Sequence, residues 1–196
     1  MVTLQGLTLA FLAAPEGVEQ RELASSWQAV LEAGGQPRLL STRAGRIQAY
    51  RHLDRADTFA VDAVVGEEPG GDPGGYAGLV LPGGVANPDF LRLDAAAVAF
   101  VRACCTAGTP VAAICHAPWL LIEAGVVRGR TLTSWPSLRT DLENAGATWV
   151  NEQVQVCTAG PGPLITSRKP ADLPLFNDAL VAACAERRGK LGPWER

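Results

Sequence analysis

The chain has 196 residues, 47 % of them apolar, which is enough to bury a sizeable core within one domain. A net charge of −3 and a pI near 5.4, with no basic run, exclude a nucleic-acid-binding surface. With only two histidines, His52 and His116, a histidine-rich metal site is excluded too, and nothing in the spacing calls for a metal or a cofactor.

Residues 3–14 have the apolar character of a signal-peptide core. The first basic residue is Arg21, however, so the segment reads as a first strand, near residues 7–13. No stretch is apolar for long enough to span a bilayer, so no membrane partner is expected. Five cysteines, an odd number without ligand spacing, read as reduced thiols of a cytoplasmic protein.

A helix is expected from about residue 18 to residue 33, stopping at Gly34-Gly35. A second strand follows at 37–42, and the short runs 46–50 and 58–64 pair as an antiparallel excursion. Residues 67–78 hold five glycines and two prolines and read as a loop. That loop lacks the Lys-Ser/Thr and the strand-to-helix context of a phosphate cradle. A buried strand at 78–81 runs into Pro82-Gly83-Gly84, and Asp94 caps a helix that ends at Gly108.

Residues 111–114 form another buried strand, followed at once by a helix at 117–124. A strand at 131–134, a helix at 136–145 and strands near 149–150, 153–158 and 164–167 come next. A last helix spans about 172–187, before a polar tail. Strands alternating with helices imply an α/β fold: a mostly parallel sheet covered on both faces, in a single domain over 1–196.

Ligands of open α/β sheets collect at the carboxyl ends of strands. Three features land on that edge: Glu16 to Glu22, the Pro82-Gly83-Gly84 turn, and Cys115-His116. Cys115 stands where a strand turns into a helix, the geometry of a nucleophile elbow. Free amides and the positive helix end are expected to depress its thiol pKa. The alternative is a small buried hydrophobe, the usual fate of free cysteine.

A low pKa alone gains little. Moving a thiol from about 8.5 to about 5.5 raises the thiolate fraction at neutral pH roughly 30-fold. It also lowers intrinsic nucleophilicity roughly 20-fold at a Brønsted slope of about 0.45. Catalysis then needs donors aimed at a developing oxyanion, and the amides of Gly84 and His116 are the candidates.

His116 is either the general base beside the thiol or a helix-capping imidazole. No histidine follows it, so the triad of a class I glutamine amidotransferase cannot be built. Glu16, Glu19 and Glu22 suit a helix start whatever their chemistry. Were Glu22 to face Cys115, an ionised carboxylate would raise the thiol pKa, whereas a protonated one would donate to the thiolate. Asp89 is a second acid near the edge, or a solvated loop carboxylate. Trp119 and Trp135 read as core residues, with Trp135-Pro136 the alternative lining of a pocket.

The chain resembles the ThiJ/PfpI superfamily, and within it the intracellular protease I branch. The resemblance rests on 17–23 (GVEQREL), 78–84 (GLVLPGG), 111–118 (VAAICHAP) and 125–129 (GVVRG), and continues through 133–136 (TSWP), 141–146 (DLENAG) and 165–168 (ITSR). It implies a flavodoxin-like three-layer sandwich, related to the glutamine amidotransferase fold, and a homodimer or an oligomer of dimers. It makes Cys115 the reactive, oxidisable nucleophile, with Glu22 hydrogen-bonded to it and His116 in a dyad with it. An acid after the Pro-Gly-Gly turn, here Asp89, would orient the histidine across a subunit interface.

Two departures stand out: Ala117 replaces the usual glycine after the histidine, and Asp89 is shorter than, and offset from, the usual glutamate. The functions implied are those of a stress-response cysteine hydrolase, acting on a peptide or, as a glyoxalase or deglycase, on a small aldehyde. The alternative is a non-catalytic redox sensor or chaperone whose Cys115 becomes sulfenic or sulfinic acid. Fold alone does not choose among them.

Overall fold

In β1 (Thr8–Leu12) Leu9 and Phe11 point to one side and Ala10 and Leu12 to the other, and all four are fully buried. A strand buried on both faces has to lie inside a sheet that is covered twice. The computed structural model describes residues 2–67 and 71–190, without the side chains of 188–190. After β1 come β2 (Glu16–Glu19), α1 (Gln20–Glu32), β3 (Gln36–Ser41), β4 (Arg46–Arg51), β5 (Asp54–Ala60), β6 (Ala63–Val64) and β7 (Gly78–Leu81). Next are α2 (Ala86–Leu91), α3 (Ala95–Thr106), β8 (Val111–Ile114), α4 (Pro118–Glu123), β9 (Thr131–Leu132) and α5 (Arg139–Asn144). β10 (Thr148–Trp149), β11 (Val154–Cys157), β12 (Leu164–Ser167) and α6 (Leu173–Lys190) complete the order.

The main sheet runs β11-β12-β8-β7-β1-β3-β6, parallel throughout except for the edge strand β11. Leu23 and Val30 of α1 and Phe176, Leu180 and Cys184 of α6 cover one face. Phe100, Val101 and Cys104 of α3 and Leu120 and Leu121 of α4 cover the other. This is the α/β sandwich expected, with β8 and β7 near its centre.

The differences are local and have physical causes. The expected first helix begins later, because residues 16–19 pair with β4 as a strand before Glu19 caps α1. The antiparallel excursion forms as β4 and β5, but it joins β2 in a separate three-stranded sheet. Likewise β9 pairs only with β10, outside the main sheet. The Asp94 side chain accepts from Ala97 N at 2.9 Å, as a cap should. Of the glycine-rich loop, residues 68–70 lie outside the described residues, as does the tail at 191–196.

One element had no signal in the pattern. α2 follows Gly84 directly and carries the fully buried Asn87. The Asn87 amide accepts from Ala14 N at 2.7 Å and donates to the Pro82 carbonyl at 2.8 Å. It thereby locks the end of β1 to the turn after β7. In Asn87→Ala both backbone groups lose their buried partner, so we expect a loss of about 2–3 kcal/mol. Urea unfolding should show a lower midpoint at an unchanged slope.

Candidate active site

Cys115 adopts φ 63°, a left-handed backbone shared only with His52 among the described non-glycine residues. Its N–H donates to Ser167 O at 3.0 Å, and its carbonyl accepts from Trp135 N at 2.9 Å. Both flanks of the elbow are thus gripped, one by β12 and the other by the loop after β9. The side chain is directed out of the sheet at the carboxyl end of β8, where the turn after β7 meets it.

That turn comes close only because it is made of glycine. A Cβ on Gly83 would sit 2.7 Å from Cys115 Cβ and 2.6 Å from Glu22 Oε2. Gly84 has φ +87°, and a Cβ there would run into the Gly17 carbonyl. The Gly83 amide donates to Glu22 Oε2 at 2.7 Å.

Four groups surround the sulfur. His116 Nδ1 lies 3.2 Å away. The amides of Gly84 and His116 lie where they favour its anion, and the Glu22 carboxyl acts on it as well. Glu22 is fully buried, and its Oε1 has no nitrogen or oxygen partner among the described residues. Burial raises the Glu22 pKa to about 8, so at neutral pH the carboxyl mostly keeps its proton.

The expected depression of the thiol pKa is not what this environment produces. Burial, followed by the Glu22 carboxylate, pushes the Cys115 thiol up, while the two amides pull it down. The helix beyond is only six residues long and opens with Pro118, which has no N–H to offer. Below about pH 8 Glu22 is protonated, its repulsion is gone and its O–H can donate to a thiolate.

His116 is buried, and burial lowers its pKa. With the neutral ring protonated at Nε2, Nδ1 is free to accept the thiol proton. Trp135 stacks on the imidazole with centroids 5.9 Å apart at 25°, and Trp119 packs on it at 5.3 Å. Trp119 is fixed in turn by Asp141, which accepts from Nε1 at 2.8 Å, and by the Arg92 guanidinium 5.0 Å from its ring.

Glu22, Gly84, Cys115, His116 and Trp135 thus meet around one cavity of about 290 Å³. Asp89 does not join them within the chain. It pairs with Arg92 at 2.6 Å and faces a neighbouring cavity of about 670 Å³. Pro136 is exposed and opens the helical turn after Trp135, while Pro170 stands on the cavity wall.

The pattern also gave no sign of His52 and Leu53, the tip of the β4–β5 hairpin, which form part of the wall of both cavities. Glu19 holds that tip by accepting from His52 N at 2.9 Å. The turn carries neither Gly nor Asn, so the usual signal for a positive-φ position is missing.

A buried cysteine on a nucleophile elbow, roofed by a Gly-Gly turn and flanked by Glu and His, defines a class of α/β cysteine proteins. Residues 8–183 match the DJ-1/PfpI family, and the chain belongs to it. It is 38% identical over 158 residues to deglycase TK1284 of Thermococcus kodakarensis, covering 81% of this chain and 88% of that protein. It is 37% identical over 164 residues to general stress protein 18 of Bacillus subtilis, covering 84% and 90% respectively. Among solved structures, a two-domain Anabaena variabilis protein with DJ-1/ThiJ/PfpI-like and ferritin-like domains superposes with a TM-score of 0.80 at 30% identity. The match covers 93% of this chain and half of that one.

Two solution measurements follow. A protonated imidazole quenches a neighbouring indole, so tryptophan fluorescence should titrate with a midpoint below the ordinary histidine value of 6.5 and cease to do so in His116→Phe. The second concerns stability. Because folding raises Glu22 from 4.5 to about 8, its contribution is full below pH 4.5 and is lost as pH rises through 8. The decline should approach about 1.4 kcal/mol per pH unit in denaturant titrations and be absent in Glu22→Gln.

Proposed function

We propose that this chain is a cysteine-dependent hydrolase of the deglycase type, with Cys115 as nucleophile and small dicarbonyl adducts as substrates. The observation that carries the reading is the elbow sulfur itself, with His116 Nδ1 at 3.2 Å and the Gly84 and His116 amides favouring its anion. Two supports accompany it: a relative that bears the deglycase name, and a cavity sized for a small adduct rather than for a folded polypeptide.

The chemistry follows from the proton inventory. His116 Nδ1 takes the thiol proton as sulfur adds to the aldehyde carbon of a 2-oxoaldehyde and returns it to the new oxygen, giving a hemithioacetal. An amine-linked adduct reaches the same intermediate when the thiol displaces the amine, which leaves with a proton. The amides of Gly84 and His116 then face the new oxygen. Proton transfer from C1 to C2 through His116, with the hydroxyl proton passing from the C1 oxygen to the C2 oxygen, converts the hemithioacetal to a thioester of a 2-hydroxy acid. Water hydrolyses the thioester, releasing the acid and restoring the thiol, with no external oxidant or reductant.

In this reading Asp89 serves a neighbouring subunit, orienting His116 across an interface. Exposed Leu53, Val85, Phe90 and Trp135, gathered near the two cavities, support self-association there. A cytoplasmic, stress-related setting fits the reduced cysteines and the relative named general stress protein 18.

A specific observation favours a second role for the same sulfur. Glu22 Oε1 is buried with no nitrogen or oxygen partner among the described residues, and an oxygen bound to an oxidised Cys115 would accept its proton. A redox-sensing protein would need that contact but not His116.

Turnover of methylglyoxal-treated N-acetyl-lysine separates the two roles. Cys115→Ser should lose at least about 10³-fold and His116→Ala about 10²–10⁴-fold, while peroxide oxidation of Cys115 persists in His116→Ala. The rate should rise with pH as His116 loses its proton below 6.5, then fall as Glu22 ionises near 8. Glu22→Gln should keep the acid limb and lose the alkaline one. Full turnover by Cys115→Ser would end the hydrolase reading.

A further inference from the structure

A cavity of about 400 Å³ lies at the opposite edge of the sheet, where α3 ends and where the loop before β12 begins. Arg130 forms part of its wall and is only 7% exposed. Its Nη1 donates to the Gly162 carbonyl at 2.9 Å. The guanidinium lies against Gly160, where any Cβ would collide with it. No carboxylate pairs with it among the described residues.

A buried guanidinium without a counter-charge is costly, and burial elsewhere in such a chain usually comes with a carboxylate. Here Nε and Nη2 bond to none of the described residues, yet neither is sealed off from solvent. Their edge is therefore available to the cavity. Arg128 stands on the same wall, its side chain laid across Gly146. The neighbouring Cys105 thiol offers no negative charge, because burial pushes it up to about 11.

We propose that this cavity binds a small phosphomonoester, its phosphate seated on the free edge of Arg130 and capped by Arg128. A planar guanidinium edge matches phosphate oxygens in pairs, and two guanidinia balance a dianion. The volume exceeds what a bare ion needs, which leaves room for an organic remainder against Val126 and Pro161. The site is separate from Cys115 and does not depend on the reaction assigned to that residue.

The rival account makes Arg130 a strut that only fastens the loop at 159–162 through Gly162. Calorimetric titration with inorganic phosphate, glycerol 2-phosphate and acetate at matched ionic strength decides between them. We expect one saturable phosphate site per chain, glycerol 2-phosphate binding at least as tightly, and acetate binding about fivefold or more weaker. Arg128→Ser, at an exposed position, should weaken phosphate about fivefold and leave iodoacetamide alkylation of Cys115 unchanged. Arg130→Lys, which keeps the charge and loses the paired geometry, should weaken it about tenfold or more.

Absence of saturable binding of either phosphate to the wild-type protein would leave Arg130 a strut and overturn the proposal. So would binding indifferent to Arg128→Ser but abolished by His116→Ala, which would place the anion beside Cys115.

Discussion

The left-handed backbone of Cys115 is the constraint on which the rest of the structure turns. A non-glycine residue holds such a conformation against about 1–3 kcal/mol, and only where its surroundings over-determine it. Here they do: Ser167 O takes its amide, Trp135 N takes up its carbonyl, and Gly83 leaves no free volume beside its Cβ. Rotating the residue back to an ordinary helical or extended conformation would break two strand-to-loop bonds at once. The strain therefore aims the sulfur, and it links three loops that are distant in sequence.

Aiming the sulfur outward and protecting it from water pull in opposite directions. At 8% exposure Cys115 is nearly as buried as the core around it, and burial disfavours its anion. The site meets this conflict by keeping both neighbours neutral near pH 7, Glu22 protonated and His116 deprotonated, each through its own burial. A neutral acid and a neutral base beside a neutral thiol form a low-charge resting state. In the reaction proposed, charge appears only as sulfur attacks, when the amides of Gly84 and His116 and the Glu22 hydroxyl are already in place. In that reaction preorganised donors, rather than a standing thiolate, carry the reactivity.

This is also why sequence reading placed the thiol at the strand-to-helix elbow but misjudged its charge. The elbow was legible because a run of four small or branched apolar residues ends in Cys-His and resumes as a helix, and the Gly-Gly turn was legible by its composition. The direction of the thiol pKa depends on how many side chains cover Cys115, which no local pattern contains. Asn87 was invisible for a related reason. An asparagine next to a proline signals a turn, and only the approach of β1 makes it a buried bridge. The three-stranded sheet was half legible: β4 alternates in burial, but β2 pairs with it through residues that equally suit a helix start.

Glu19 shows how one such residue joins the two halves of the site. Its carboxylate caps the first turn of α1, accepting weakly from Arg21 N at 3.4 Å and firmly from His52 N at 2.9 Å. The first bond belongs to the helix that delivers Glu22 to the sulfur. The second fixes the hairpin tip that roofs the same cavity, where Leu53 is 92% exposed. The sulfur thus stands on a central strand, and part of the cavity wall stands on a hairpin whose tip is held by one carboxylate. A hairpin anchored this way can change its tip residues without disturbing the elbow. The cavity wall can therefore vary at that tip while the sulfur stays where β8 and the glycine turn put it.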